Sequence, residues 1–221
     1  MENNQDNIFP VWKPQMLSSG DVVKTIKSKL NLRKVGHCGT LDPFAEGILI
    51  VVSGSETARS DEYMSYIKTY QTIITLGTQT DTLDSTGTII RSRPVLNEKY
   101  NQEFIENILS SFVGTINQRP PSFSAKKING VRLYKLARKD VFIHLKPIEV
   151  IIEDIKFISF EDNQLSLEIK CQKGTYIRQL GYDIAKAMGT TGHLKSLIRT
   201  QIGSFSYKNS KNLKDIDNWN Y

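Results

Sequence analysis

"VGHCGTLDPFAEGILIV", residues 35–51, joins a loop punctuated by glycines to a continuous apolar run. The run from Ile48 to Val52 has the length and composition of a fully buried strand, which Ser53-Gly54 ends. Asp42 lies in the loop directly before Pro43, which favours extended backbone at residue 42. An Asp-Pro pair most often serves only as a turn. A carboxylate fixed on such a loop, against a buried strand, is also preorganised as a nucleophile or general base.

Apolar periodicity on both sides of this stretch predicts helices and strands that mix without a regular βαβ rhythm. The predicted elements, in chain order, are a helix after Ser18-Ser19, a strand over 66–76, a turn-rich loop over 80–87, a helix over 97–113, a strand over 164–172 and a helix after Gly174-Thr175. The clearest strand is 164–172, because its apolar and polar residues alternate strictly. This order favours an α+β fold, with a central mixed or largely antiparallel sheet flanked by helices.

Length and composition indicate an ordinary globular protein. The 221 residues suit a sizeable core, and we expect a single domain over 1–221. No apolar run approaches the roughly 20 residues that cross a bilayer, and the polar N-terminus "MENNQDNIFP" lacks the features of a secretory signal. We therefore expect a cytoplasmic protein with no membrane partner. The two cysteines and three histidines lack the spacing of a metal site, so no metal is expected.

The formal net charge of +6 fits either a solvated basic surface or a polyanionic partner such as nucleic acid. Residues 118–147 are rich in proline and basic residues, which is typical of a long functional loop. Its cluster of cations, in which no acidic residue occurs, consists of Lys126, Lys127, Arg132, Lys135, Arg138 and Lys139. Tyr134 lies among them, and this composition favours contact with an RNA backbone over a merely solvated face.

Three further side chains each allow two interpretations. His37 either orders its loop through backbone contacts or touches a phosphate or a base. Tyr70 is either an ordinary core residue of its strand or a ring that stacks on a base extruded from its helix. Arg178 lies in the first turns of a predicted helix. It is either exposed, or its guanidinium makes two hydrogen bonds to a carboxylate and keeps that carboxylate ionised. Arg178 and Asp42 are distant in sequence, so residue patterns alone do not pair them.

Five motifs, in their order along the chain, resemble the TruB family of tRNA pseudouridine synthases. Residues 36–47, "GHCGTLDPFAEG", fit the family loop G-H-x-G-T-L-D-P-x-A-x-G at every specified position. The other four motifs are "VWKPQMLSS", "KTYQTIITLGTQTDTLDSTG", "RPPSFSAKKINGVRLYKLAR" and "KGTYIRQLGYDIAKAMG". The resemblance covers about residues 8–205, and it implies the pseudouridine synthase fold with an inserted thumb loop over about 118–147.

The resemblance implies a role for each candidate residue. Asp42 would be the catalytic carboxylate that attacks the target nucleotide, and Arg178 would pair with it. Tyr70 would lie against the flipped uracil, and His37 would help to extrude the target nucleotide. The substrate pocket would also be lined by Tyr176, Lys13 and Leu197. The thumb would close on the T stem-loop of tRNA, with uridine 55 as the target.

The implied reaction is an isomerisation that needs no cofactor. The N1–C1′ glycosidic bond breaks, the uracil turns within the pocket, C5 bonds to C1′, and a proton leaves C5. Because no redox change or energy input is involved, neither a nucleotide cofactor nor a metal is implied, in line with the missing glycine-rich phosphate motif. The target base must leave its stack before it can react. We expect the enzyme to act on tRNA as a monomer.

The sequence departs from the family pattern at several positions, but none of these departures removes a proposed catalytic group. Met16 stands where the family prefers Gly, Phe123 where it prefers Tyr, and Ala58 where Lys is frequent. Ile198-Arg199 replaces a common Arg-Arg pair, and the lost basic residues would weaken tRNA contact. The chain ends at Tyr221 after a short polar tail over 207–221, so we expect a minimal catalytic domain without the C-terminal PUA domain of many relatives.

Two alternatives compete with this interpretation. A non-catalytic RNA-binding module, or tRNA-folding chaperone, would need the basic loop but would have no reason to keep Asp42, Tyr70 and Arg178 together. A guide-RNA-dependent pseudouridine synthase of ribosomal RNA would keep all three. The well-developed loop over 118–146 favours the stand-alone tRNA enzyme.

Overall fold

The structure is a computed structural model that describes residues 6–121, 123–124, 127–128, 131–133, 143 and 145–219. The chain divides into two compact units. The first comprises Met1–Tyr70 and Leu197–Tyr221, and the second comprises Gln71–Ser196. Within the described residues, no helix has both the length and the apolar character that a membrane crossing requires.

The first unit is built around a mixed sheet. Its strands are β1 (Asn7–Lys13), β2 (Val35–His37), β3 (Glu46–Ser53), the last part of β12 (Gly192–Ile202), β13 (Phe205–Ser206) and β14 (Lys211–Asn212). Antiparallel pairs join β1 to β3, β2 to β3 and β12 to β13. Parallel pairs join β12 to β3 and β14 to β1. The sheet order β14-β1-β3-β12 therefore places β3 in the interior, where the apolar run after the Asp42 loop requires it to be.

Both faces of β3 are covered by side chains of the first unit. Leu49 and Val51 pack in one apolar cluster with residues of α1 (Ser19–Lys29), such as Val22 and Ile26. The alternate residues of β3 pack in a second cluster with Tyr63 of α2 (Ser60–Ser65). A strand buried on both faces shows no alternation of polar and apolar residues, which explains the continuous run in the sequence.

The second unit contains an antiparallel arrangement of longer strands. Its strands are the greater part of β4 (Lys68–Leu76), β5 (Thr78–Thr80), β6 (Ile89–Ser92), β7 (Gly114–Gln118), β8 (Lys127–Ile128), β9 (Val131–Arg132), β10 (Ile148–Glu161), β11 (Gln164–Cys171) and the first part of β12. Four of them follow the order β4-β11-β10-β7, and β5 pairs with β6 in a separate hairpin. The helices are α3 (Gln102–Ser110) and α4 (Ile177–Ala187). The predicted α+β class with a mixed sheet is confirmed.

Several element predictions are confirmed with small boundary changes. The helix after Ser18-Ser19 is α1, and its N-cap residue Ser18 accepts a hydrogen bond from the Asp21 N–H at 3.1 Å. The alternating strand at 164–172 is β11, with its apolar residues buried. The helix predicted over 97–113 is wrong in extent. Asn101 caps α3 by accepting from the Phe104 N–H at 2.8 Å, so the helix begins only at Gln102.

Candidate active site

The loop that carries Asp42 is fixed through its own backbone. Where the loop leaves β2, the Cys38 N–H donates to the Ile50 carbonyl at 2.8 Å. A tight turn follows, in which the Ala45 N–H donates to the Asp42 carbonyl at 3.1 Å. Asp42 itself is half-buried. Loops are usually mobile, so the question is what holds this one in place.

Lys13 holds the part of the loop after Asp42. Its side chain is fully buried, and its ammonium donates to the carbonyls of Ala45 at 2.6 Å and Pro43 at 3.4 Å. The same ammonium donates to Leu17 at 2.8 Å and Pro14 at 2.9 Å. Four carbonyl contacts around one buried ammonium give Lys13 a positioning role. That Lys13 lines the substrate pocket stays a prediction.

Burial and the nearby Arg199 guanidinium lower the pKa of Lys13 from 10.5 to about 8. The negative charges of Asp42 and Glu46 oppose that shift. The Asp42 carboxylate therefore lies close enough to the Lys13 ammonium for the two to attract each other. The loop thus places its aspartate near a buried cation of the same unit.

Ser19 and Arg199 hold the part of the loop before Asp42. The Ser19 hydroxyl accepts from the Leu41 N–H at 2.9 Å and lies 3.0 Å from the Leu41 carbonyl, to which it donates. The Arg199 guanidinium donates to the carbonyls of Gly39 and Thr40, each at 3.3 Å. We call Lys13, Ser19 and Arg199 together the loop clamp. All three side chains are buried, and the bonds of Lys13 to Ala45 and of Ser19 to Leu41 are buried as well, so water competes little for these bonds.

Met16 has a backbone conformation that favours glycine. Its φ is 66°, in the left-handed region that glycine enters without a steric penalty. The Met16 N–H donates to the Pro43 carbonyl at 2.6 Å, so this unusual backbone lies directly against the Asp42 loop.

The remaining candidates of the first unit lie on its strands. Tyr70 and Leu197 are both buried, with 8% and 3% of their surface exposed, on β4 and β12. His37 is half-buried on β2, opposite Val51 of β3. Their roles with a substrate stay predictions.

The second unit holds Arg178 in the first turn of α4, where only 5% of its surface is exposed. The interpretation of Arg178 as an exposed helical arginine is therefore wrong. Its guanidinium donates to the Thr82 carbonyl at 2.6 Å and to the Phe123 carbonyl at 2.7 Å. It also lies 3.6 Å from the carboxylate of Asp84, which is equally buried. The pairing of Arg178 with Asp42 joins residues of different units and stays a prediction.

Tyr176 is fixed by the side-chain amide of Gln118. The Tyr176 N–H donates to Gln118 Oε1 at 2.8 Å, and Gln118 Nε2 donates to the Tyr176 carbonyl at 3.1 Å. This pair of bonds satisfies the backbone of Tyr176 where it enters α4. These bonds fix the point at which the Tyr176 side chain leaves the backbone.

Part of the predicted RNA-binding set lies outside the described residues. Lys126, Lys135, Arg138 and Lys139 are not described. Lys127 and Arg132 belong to the short paired strands β8 and β9, and only their backbone is described. Their contact with RNA stays a prediction. Among the residues that the structure does describe, no group of three or more His, Cys, Asp or Glu could hold a metal ion.

Sequence reasoning missed four residues that support the candidate site: Ser19, Asp84, Gln118 and Arg199. Three of these use side chains to hold backbone groups that are distant in sequence, and such pairs leave no periodic signal. Asp84 did carry a signal. The run "TDTLDSTG" is rich in residues that bind their own backbone, and an aspartate inside such a turn is fixed enough to orient a neighbour.

The chain is similar to proteins and structures of one class. A family model described as "TruB family pseudouridylate synthase (N terminal domain)" matches residues 27–177. The tRNA pseudouridine synthase B of Caldanaerobacter subterraneus subsp. tengcongensis is 41% identical over 96% of this chain and 74% of its own length. That of Mesoplasma florum is 37% identical over 98% of this chain and 76% of its own length. A chain in a solved Cbf5-Nop10-Gar1 complex matches this structure with a TM-score of 0.72 and 27% sequence identity. The match covers 95% of this chain but only about half, 53%, of that chain.

The fold and the family match define a pseudouridine synthase. More particularly, the chain belongs to the TruB family of pseudouridylate synthases. The resemblance found in the five motifs is thereby confirmed.

Proposed function

We propose that this protein isomerises uridine to pseudouridine in tRNA, at position 55 of the T-loop, with Asp42 as the nucleophile. One observation carries the proposal: Asp42 is half-buried on a loop whose backbone is held on both sides by the buried loop clamp. A catalytic carboxylate must be held in its productive geometry before the substrate arrives, and a clamp of this kind supplies that rigidity. A turn aspartate in a pure binding module would need no such support. The relatives named tRNA pseudouridine synthase B support tRNA as the substrate.

The reaction balances without an external reagent. The N1–C1′ bond breaks, C5 forms the new bond to C1′, and the proton lost from C5 is matched by a proton gained at N1. Asp42 would attack the nucleotide to form a covalent intermediate, which divides one difficult step into two easier ones. The base would first have to leave its stack, because its reacting atoms are inaccessible inside a helix.

The other candidates would bind and orient the nucleotide. Tyr70 and Leu197 would border the flipped uracil, and His37 would help to extrude it. Tyr176 and Arg178, each fixed by contacts within the second unit, would complete the substrate-binding set. The cations of the 118–147 loop would grip the phosphate backbone of the T stem-loop.

We further propose that the enzyme works as a single catalytic domain and a monomer, in the cytoplasm, where its tRNA substrate is found. Size-exclusion chromatography with light scattering, with and without tRNA, tests the monomer. A persistent dimer would contradict it.

Release of tritium from unmodified tRNA labelled at C5 of its uridines tests the proposed reaction. The wild-type protein should release about one equivalent of tritium per tRNA, because only one uridine reacts. A matched tRNA with cytidine at position 55 should release none. Tritium release only from ribosomal RNA, and only with a guide RNA, would contradict the tRNA assignment. Binding of tRNA without any release would support the non-catalytic module instead.

A further inference from the structure

We propose that Arg199 is a positioning residue for Asp42, which sets the upstream half of the catalytic loop against strand β3. This inference rests on the proposed function, because it concerns the same carboxylate. The residue itself does not need to touch the substrate. It would act by fixing where the loop backbone, and therefore Asp42, lies in the first unit.

The geometry of the guanidinium carries the proposal. Arg199 is 1% exposed, and its Nε donates to the Ile48 carbonyl on β3 at 2.7 Å. Its two terminal nitrogens donate to Gly39 and Thr40 on the loop. One planar fork thus links the rigid strand to the loop that precedes Asp42. A lysine carries all its donors on one nitrogen atom, so it could not match three carbonyls that are bound by three different nitrogens of a planar guanidinium.

The backbone of Arg199 is also fixed against the same strand. Arg199 lies opposite Gly47 in the parallel pairing of β12 with β3. The approach is so close that a Cβ on Gly47 would lie 2.2 Å from the Arg199 carbonyl oxygen. The backbone of Arg199 is therefore fixed relative to β3. The position of its guanidinium is limited accordingly, and so is the position of the loop that the guanidinium binds.

The two buried cations of the loop clamp indicate that the clamp serves Asp42 and not the stability of the fold alone. Lys13 and Arg199 are both buried, and their mutual repulsion contributes to the lowered pKa of Lys13. Two like charges buried near each other cost stability, and apolar residues of similar volume would often be more stable. Their presence on either side of Asp42 is explained if the carboxylate requires both halves of its loop to be fixed.

The test compares Arg199→Met with Arg199→Lys and with Lys68→Met. Lys68 is a matched control, because it is also a buried cation of the first unit that donates to backbone carbonyls, those of Met64 and Tyr66, outside the Asp42 loop. We expect Arg199→Met to lower kcat about 100-fold, the loss expected for a misplacement of about 1 Å, with KM for tRNA within threefold of wild type. Arg199→Lys should recover about tenfold of that loss. Lys68→Met should lower Tm while it leaves kcat within about threefold.

Amide hydrogen exchange of residues 39–45 gives a second measurement that does not depend on activity. Exchange there should accelerate in Arg199→Met and stay at the wild-type rate in Lys68→Met. The inference is overturned if Arg199→Met keeps the wild-type kcat, if Lys68→Met loses as much kcat, or if exchange in 39–45 is unchanged in Arg199→Met. An inactive wild-type protein would contradict the proposed function, whereas active wild-type protein with an equally active Arg199→Met would contradict this inference alone.

Discussion

The tripeptide Thr-Leu-Asp occurs once in each unit, and its aspartate has a different part in the support of each turn. The loop of Asp42 is held by side chains of the loop clamp that bind its backbone. The turn of Asp84 is also bound from outside, by the Arg178 guanidinium at the Thr82 carbonyl. Here, however, the aspartate itself holds the turn as well, because its Oδ1 accepts from the Thr82 hydroxyl at 2.9 Å and from the N–H and hydroxyl of Thr86 at 3.0 and 2.6 Å. The same local sequence therefore gives a structural aspartate in one unit and an externally supported, half-buried one in the other.

The comparison predicts that Asp84 matters more for stability than Asp42. Asp84→Ala leaves the buried Arg178 guanidinium without this counter-charge and removes the bonds that shape the turn. Loss of one partner from a buried ion pair costs about 3–5 kcal/mol of unfolding free energy. Asp42→Ala should cost less than half as much, because Asp42 is only half-buried, so water screens the loss of its charge, and the loop clamp stays in place. Urea denaturation of both variants checks this, and equal losses would contradict the division between the two loops.

Two glycines on the strands that border the Asp42 loop should respond differently to alanine. Gly47 of β3 has a φ of 120° and lies against the Arg199 backbone, which cannot move aside. Gly47→Ala should therefore cost about 3 kcal/mol through strain and displacement. Gly36 of β2 lacks a positive φ, and a Cβ there would meet no atom within 4 Å.

Gly36→Ala is the matched control, and its cost should remain below about 1 kcal/mol. Thermal unfolding of the two variants measures the difference. A larger loss for Gly36→Ala than for Gly47→Ala would show that the Asp42 loop does not depend on close backbone packing at Gly47.

The buried ammonium of Lys13, which holds the Asp42 loop, makes the unfolding free energy sensitive to pH. Its pKa is about 8 in the folded protein and 10.5 for an ordinary lysine, so between these values the unfolded chain binds more protons. The unfolding free energy should then rise with pH across this window, by up to about 1.4 kcal/mol per pH unit from this group. Below pH 8 the cost of the buried charge is fully present.

Urea denaturation of wild type and Lys13→Met from pH 7.5 to 10 isolates this contribution. The difference in unfolding free energy between the two proteins should grow in favour of wild type as the pH rises. If the unfolding free energies of the two proteins changed with pH in parallel, the pKa of Lys13 would not be lowered in the folded state.

How much the sequence predicts depends on whether the signal is local. The alternation of polar and apolar residues predicts β11, which is buried on one face. The continuous apolar run predicts β3, which is buried on both faces. Strand β10 was missed because shifts of register near Asp154 and Ser159 break its alternation. Strand β1 was missed because Pro10 lies within it, and proline is usually a sign against a strand.

The site follows the same rule. The candidates Asp42, Tyr70 and Arg178 were selected because they lie in recognisable motifs. The contacts that hold the Asp42 loop and Tyr176 join Lys13 to Ala45, Arg199 to Thr40 and Gln118 to Tyr176 across long stretches of chain. Pairs of this kind arise only from the folded backbone, so the sequence suggests candidate residues but does not predict the residues that position them.

The chemical role of the Asp42 carboxylate is tested most directly by single-turnover tritium release from saturating, C5-labelled tRNA with Asp42→Asn. This variant keeps the shape of the side chain and the loop clamp, and it removes only the charged oxygen. We predict that release slows by about 10⁴-fold or more, while the Kd for tRNA stays within threefold of wild type. Release by Asp42→Asn within tenfold of the wild-type rate would contradict the assignment of Asp42 as the nucleophile.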